Sequence, residues 1–421
     1  MRVLASLLML IAMLPAGLGQ AQVALPGVPL PDVGRVVPPL PSLNIDPLVT
    51  RAGALAQLRL DRIAGLLRDH RDRVEADRNG EPALRGVLVA TGVDAAMIAL
   101  AADKGFVVID RERIEGLDLE LVRFAVPAGR SLARAQKQLT QLLPGAAIDA
   151  DHLYFASGAS ASVGALPAVT LAAAAAPGAA PLGLIDGGVA AHPSVAGRVE
   201  QRGFAKGAPM ASRHGTAVAS LLIGSGSVRG AAPGQRLRAA DVYGSDPAGG
   251  NASAIVRGLG WLAEGGVAVT VISLVGPDNA LLRTAVSRAQ QRGVLIVAAV
   301  GNDGPAAPPV YPAAYPGVLG VTGVDAKGRA LPEAGRKTPV DFAAPGDGVL
   351  AATGAAKAER LRGTSFAAPL VAGRLARLYP APAVGRIEGA VTALVGEARD
   401  LGKKGRDAVY GEGLICGDCG R

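Results

Sequence analysis

Apolar and polar positions alternate in distinct ways along the chain. Residues 1–22, "MRVLASLLMLIAMLPAGLGQAQ", place one arginine before an apolar run of about a dozen residues, followed by Pro15 and small residues. That layout predicts a secretory signal peptide, and the run is too short to span a bilayer. Residues 23–47 are proline-rich and read as an extended linker. Residues 48–82 read as a helical segment, with Leu55, Leu58, Ile63, Leu66 and Leu67 near one face, Arg59, Arg62, Asp69 and Arg71 elsewhere, and "ADRNGEP" as its stop. Over 83–155 the period switches repeatedly. "GVLVATG", "FVVID", "LELVRFAVP" and "AAIDADHLY" read as strands, while "DAAMIALAADKG" and "SLARAQKQLTQLLPG" read as helices, the second with Ser131 as N-cap. The order β-α-β-β-α-β predicts a small α+β, ferredoxin-like domain.

Residues 156–180 are almost all small and predict an exposed connector of the kind where chains are cut. From 181 to 415 fully apolar strands alternate with helices. The strands are "LGLID", "LRAADVY", "VAVTVISLVG" and "VLIVAAVGN"; the helices are "GTAVASLLIG", "ASAIVRGLGWLAEGG" and "LLRTAVSRAQQRG". This alternation predicts an α/β domain with a mostly parallel sheet and helices on both faces. Chemistry in such sheets gathers at the C-terminal ends of the strands.

Composition adds little that conflicts. Half the residues are hydrophobic and only 3% are aromatic, so the core is built from Ala, Val, Leu and Ile. The net charge of +8 is uneven: 17 basic and 17 acidic residues precede Pro177, and 26 and 18 follow. The basic residues are scattered and no aromatics interleave with them, which reads as a solvated surface and not a nucleic-acid site. No second stretch is long and apolar enough for stable membrane insertion. The two cysteines, Cys416 and Cys419, sit in a C-terminal tail, 416–421. Outside the cytoplasm they form a local disulfide or an idle pair; a metal site would need more ligands.

Asp186 ends "LGLID" and Asn302 ends "VLIVAAVGN", so each falls at a strand rim. An aspartate before glycines also commonly caps a turn. Of the four histidines, His70, His152 and His192 stand in surface-like contexts, whereas His214 opens a helix within a glycine-flanked turn. Ser365 in "GTSFAAP" opens another helix; it can serve as a cap, but Thr364 could do that instead. A hydroxyl at a helix start faces free N–H groups and a positive dipole end, which suits oxyanion stabilisation. No G-x-S-x-G elbow and no H-E-x-x-H motif occurs.

With "LGLIDGGV", "RHGTAVASLLIG", "AAPGQRLRAADVY", "VAAVGNDGP", "YPAAYPGVLGVTGVD", "DFAAPGDGVLAATG" and "GTSFAAP" in this order, the chain resembles the subtilisin-like serine proteases over most of 181–413. The resemblance implies a subtilisin-like catalytic domain preceded by a propeptide acting as inhibitor and folding helper, whose tail occupies the cleft. It implies Ser365 as nucleophile, His214 as general base and acid, Asp186 as its orienting partner and Asn302 as oxyanion donor. Gly249 and Gly250, together with Ser273, Leu274, Val275 and Gly276, match the edges that pair with substrate as added strands. Gly187 replaces the family's Ser or Thr after the aspartate, and Val271 replaces an asparagine. The helix after His214 carries no insertion of the kind that forms a strong calcium loop in some relatives; no cofactor is indicated. Val275 and Val310 replace glycines of the main pocket, so a preference for Ala, Gly or Ser before the cut is expected. The implied product is a monomeric, secreted or periplasmic serine endopeptidase made as a zymogen, acting on polypeptides and on its own propeptide in cis. The alternative is a catalytically silent relative serving as a binding or scaffold protein, against which the intact Asp186, His214, Asn302 and Ser365 argue. An ester hydrolase with the same triad would not need backbone-pairing edges.

Overall fold

The computed structural model describes residues 46–157 and 180–419. The expected signal peptide, nearly all of the proline-rich linker, residues 158–179 of the connector and the last two residues lie outside that range. Helix α1 (Asp46–Asp69) starts before residue 48 and stops well short of 82. The chain turns at His70–Arg73 into strand β1 (Val74–Ala76), which pairs with the next strand. Ile63 is buried and Leu66 and Leu67 are half-buried against Val74, Leu153 and Ala248, but Leu58 is 63% exposed. The periodicity therefore named the helix correctly and overstated its apolar face.

The N-terminal domain continues with β2 (Pro82–Thr91), α2 (Ala95–Asp103), β3 (Val107–Ile114), β4 (Leu119–Ala125), α3 (Leu132–Leu142) and β5 (Ala147–His152). All its pairings are antiparallel, in the order β1-β2-β4-β3 with β5 also on β2. Strand alternation sorts its side chains. Leu88, Ala90, Val122 and Phe124 meet Leu132 and Leu139 of α3 on one face. Val89, Leu119 and Leu121 point to the other. Ser131 occupies the N-cap of α3 as expected, without a side-chain capping bond. Asp94 does cap α2, accepting from Met97 N–H.

A two-residue strand, β6 (Phe155–Ala156), leads out of this domain. After the connector come β7 (Leu182–Asp186), β8 (Val199–Gly203), α4 (Arg213–Ile223), β9 (Leu237–Asp241), α5 (Ala252–Glu264), β10 (Val269–Ile272), β11 (Leu274–Val275), α6 (Ala280–Gln291), β12 (Leu295–Ala299), β13 (Leu319–Val324), β14 (Phe342–Pro345), β15 (Asp347–Ala352), β16 (Ala358–Arg362), α7 (Ala368–Leu378) and α8 (Ile387–Glu397). Seven strands form one parallel sheet in the order β14-β13-β12-β10-β7-β9-β8. Helices α4, α7 and α8 cover one face, and α5 and α6 cover the other. Both faces are dry, which is why these strands read as unbroken apolar runs. The run expected as one strand over "VAVTVISLVG" is broken at Ser273, so that β11 leaves the sheet and forms a separate edge. The strand expected to end at Asn302 stops at Ala299.

The outer face of the N-terminal sheet packs on α5 and α6 through Ile114, Leu117, Leu119 and Leu121. Gly260 permits the approach: a Cβ there would lie 2.1 Å from Ile114 Cγ2. Two carboxylates of β5 and its end dock onto helix N-termini. Asp151 accepts from Ser253 N–H at 2.9 Å and Ser253 Oγ at 2.6 Å, and Asp149 accepts from Ala280 N–H at 3.0 Å. Negative charge at a helix N-terminus satisfies free N–H groups and opposes the dipole. Burial pushes the Asp149 carboxyl above its usual range despite these bonds.

Candidate active site

Strand order reverses at β7, which has β9 on one side and β10 on the other. Such a switch point leaves a crevice beyond the strand ends. Asp186 is the last residue of β7 and is 1% exposed. Its Oδ1 accepts from Gly187 N–H at 2.7 Å. His214 Nδ1 lies 2.9 and 2.8 Å from the two Asp186 oxygens. The closeness of strand exit and helix start depends on Gly215, where a Cβ would stand 2.1 Å from Gly187 O. Ser212 caps α4 by accepting from Gly215 N–H at 2.9 Å, which fixes the turn carrying His214.

Ser365 lies in a single 3-10 turn, Thr364–Phe366, between β16 and α7, with Pro369 in the first turn of α7. It is fully buried. Its Oγ and the Nε2 of His214 are both buried without a hydrogen-bond partner. The Phe366 ring sits 5.5 Å from the His214 ring, so the serine turn and the histidine meet side by side. Gly363 separates Ser365 from Asn302: a Cβ there would lie 3.2 Å from Asn302 Nδ2 and 3.5 Å from Ser365 Oγ. Asn302 Oδ1 accepts from Thr364 N–H at 3.0 Å. This bond orients the amide, and Asn302 Nδ2 donates to the carbonyl oxygen of Ser157.

Residues 153–157 run through this crevice as an added strand. Ala156 and Phe155 pair antiparallel with Leu274 and Val275. Ser157 N–H and Oγ both donate to Ser273 O, each at 3.1 Å. On the opposite side Tyr154 N–H donates to Gly250 O at 2.9 Å, and Leu153 bridges Asn251. Ser273 Oγ in turn donates to Ser365 O at 3.1 Å. The fully buried Tyr154 side chain packs against Gly276, and its hydroxyl donates to Pro277 O at 2.8 Å. Burial pushes its phenol well above the usual range, keeping it a neutral donor. Tyr243 hydroxyl donates to Tyr154 O at 3.0 Å. Val275 and Val310 are both buried and converge beside Gly301, 3.7 and 3.3 Å from where a Cβ on it would lie.

The structure thus brings Asp186, His214, Ser365 and Asn302 to one crevice, and Gly250, Ser273, Leu274, Val275, Gly276 and Val310 to its walls. The N–H of Gly249 closes a turn onto Asp246 O, and it is its neighbour Gly250 that bonds the added strand. The connector expected to begin at 156 begins with residues held in the cleft. Sequence reasoning missed Tyr154, Ser157, Tyr243, Asn251 and Pro277. The signal for two of them was "YFAS", the last patterned residues before the small-residue run. His152 and His192 are 2% and 4% exposed, contrary to the surface contexts read for them. His152 bonds Asp77 and Asn279, and His192 bonds Ser194. Among the described residues, the group of His, Cys, Asp or Glu close enough to hold a metal is Cys416, Asp418 and Cys419. The two sulfurs there are joined in a disulfide, so neither is a free thiolate ligand.

A crevice at a parallel-sheet switch point, holding a buried carboxylate–imidazole pair beside a buried hydroxyl, defines a hydrolase-type α/β site. The Subtilase family pattern matches residues 181–413. Subtilisin BL of Lederbergia lenta is 36% identical over 200 residues, covering 46% of this chain and 73% of its own. The Major intracellular serine protease of Bacillus subtilis (strain 168) is 34% identical over 171 residues, covering 39% and 54%. Among solved structures, fervidolysin from Fervidobacterium pennivorans, a keratinolytic enzyme related to subtilisin, shares the fold with a TM-score of 0.63 at 19% identity, covering 82% of this chain and 62% of its own. The chain belongs to the subtilase family and is a serine endopeptidase.

Proposed function

We propose that the protein is made as an inhibited precursor whose Asp186, His214 and Ser365 form the catalytic triad and whose first substrate is its own chain, cut between Ser157 and Gly158. Ser365 Oγ attacks the Ser157 carbonyl carbon while His214 Nε2 takes its proton. Asp186 holds the Nδ1 tautomer and stabilises the imidazolium. The oxygen that becomes negative is the one Asn302 Nδ2 already donates to. His214 then returns the proton to the Gly158 amine, and water releases the acyl group by the same steps in reverse. The N-terminal domain, docked on α5 and α6, keeps its tail in the cleft after the cut and so acts as inhibitor. The observation that carries this reading is the seat of Ser157: its carbonyl on Asn302 and its N–H on Ser273 O, in strand register with β11.

Substrate preference follows from the same strand. Val275 and Val310 leave space for a small side chain before the cut, and Tyr154 occupies a deep aromatic slot three residues earlier. The signal peptide expected at residues 1–22 and the Cys416–Cys419 disulfide support export and action on proteins outside the cytoplasm. N-terminal sequencing of the active form tests the whole reading. A new terminus at Gly158, absent when Ser365→Ala is expressed, is the expected result; a terminus elsewhere in an enzyme of full activity would remove the register argument.

A further inference from the structure

Helix α1 has no part in the chemistry above, yet two of its arginines reach the crevice. Arg62 Nη2 donates to both Asp303 oxygens, at 3.2 and 3.3 Å, and its guanidinium carbon lies 5.2 Å from the Phe155 ring centroid. Arg59 Nε is 3.7 Å from Asp303 Oδ2 while Arg59 Nη2 holds Glu81 at 2.7 and 2.8 Å. Asp303 directly follows Asn302, and its side chain is only 14% exposed. Among the described residues its ion pairs are with these two arginines alone, both from the pro-part of the chain. A cavity of about 520 Å³ lies here, lined by Arg59, Arg62, Phe155, Asp303 and Val310 among others.

We infer that Asp303 is a specificity-determining carboxylate that selects a cationic side chain at the third residue before the scissile bond, and that Arg62 and Arg59 fill this subsite in the precursor. The inference rests on Ser157 being the residue before the cut, which makes Phe155 the third. A guanidinium already lies against that side chain and bonds the carboxylate. Departure of α1 strips Asp303 of both counter-charges. An arginine or lysine in the place of Phe155 restores one from the substrate itself, and a glutamate there meets like charge. Charge-assisted bonds of this kind are stronger than neutral ones and weaken as salt rises.

The test uses the mature enzyme and internally quenched peptides containing Tyr-X-Ala-Ser-Gly-Ala, with X as Arg, its neutral isostere citrulline, Phe or Glu. Cut positions are read by mass spectrometry. The expected ratio of kcat/KM for Arg over citrulline is about fivefold to tenfold at low ionic strength. It falls to about unity in Asp303→Asn, and Asp303→Lys turns the preference towards Glu. Each ratio is taken within one enzyme, so a general loss of activity in a variant does not affect it. Cleavage after Ser with no Arg preference, or a preference that survives in Asp303→Asn, overturns the inference and leaves the proposed function standing. Cleavage of the Phe peptide at another bond overturns both.

Discussion

Asn302 donates through Nδ2 to the carbonyl oxygen of Ser157, a residue 145 positions earlier in the chain. The donor comes from the loop after β12 and the acceptor from the tail of the N-terminal domain. The tail of the N-terminal domain thus lies against Asn302, whose amide is held in orientation by Thr364 N–H.

Replacing Asn302 by Ala should slow turnover far more than it weakens binding, because the bond strengthens as the carbonyl oxygen gains charge. Loss of one such donor costs about 3 kcal/mol in this family, a value carried over from relatives and not specific to this chain. Steady-state kinetics on a small peptide should show kcat falling by about two to three orders of magnitude with KM little changed. A change confined to KM would contradict the role.

The proposed narrowing of the pocket has its own consequence. Val275→Gly together with Val310→Gly removes two isopropyl groups that converge beside Gly301. The double variant should accept Phe before the cut, raising kcat/KM for Phe relative to Ala by about tenfold or more, within the range that buried apolar contacts provide. Failure of the Phe/Ala ratio to move would show that these valines do not set the floor.

Tyr154 predicts a preference for Tyr over Phe at the fourth residue before the cut. The phenol hydroxyl donates to Pro277 O in a dry slot, and loss of one neutral hydrogen bond costs about 1 kcal/mol, or about fivefold in kcat/KM. A matched pair of peptides that differ only in that hydroxyl measures it.

His152 makes the N-terminal domain sensitive to pH. Its Nε2 is 3.2 Å from Asp77 Oδ2 and its Nδ1 is 2.9 Å from Asn279 Nδ2. Burial and the Asn279 amide, whose Nδ2 needs a lone pair on Nδ1, oppose the charged ring, but the bond to Asp77 and the charges of Asp149, Asp77 and Asp151 outweigh them and raise its pKa above the ordinary 6.5. A raised folded value contributes stability that is complete below the unfolded pKa and is lost as pH rises through the folded one. Against this, burial raises the Asp77 carboxyl, but bonds from His152, Glu81 and Asn79 bring it below its usual range, so its contribution disappears only at strongly acid pH. The thermal midpoint of the Ser365→Ala precursor should therefore fall as pH is raised above about 6.5, and His152→Gln should flatten that slope. An unchanged slope in the variant would place the pH dependence elsewhere.

Elements were readable where a local period is strong. The fully apolar strands β7 and β12, the amphipathic α3 and the βαββαβ order all follow from spacing along the chain. Reading failed where a distant partner decides. Leu58 is exposed because α1 packs on the domain through Ile63, Leu66 and Leu67, further along its stripe. His152 is buried because Asn279, far along the sequence, closes over it. The break at Ser273 exists because β11 serves the cleft strand and not the main sheet.

The sequence by itself determined the family, the parallel α/β class and the identity of the residues offered at the strand and helix ends, since these depend on residue type and short-range order. Only tertiary structure decided which main-chain carbonyl meets Asn302, which arginines cover Asp303 and where the N-terminal domain docks. Those contacts join segments brought together by close packing at Gly215 and Gly260, and no local pattern encodes the register in which two remote strands come to lie.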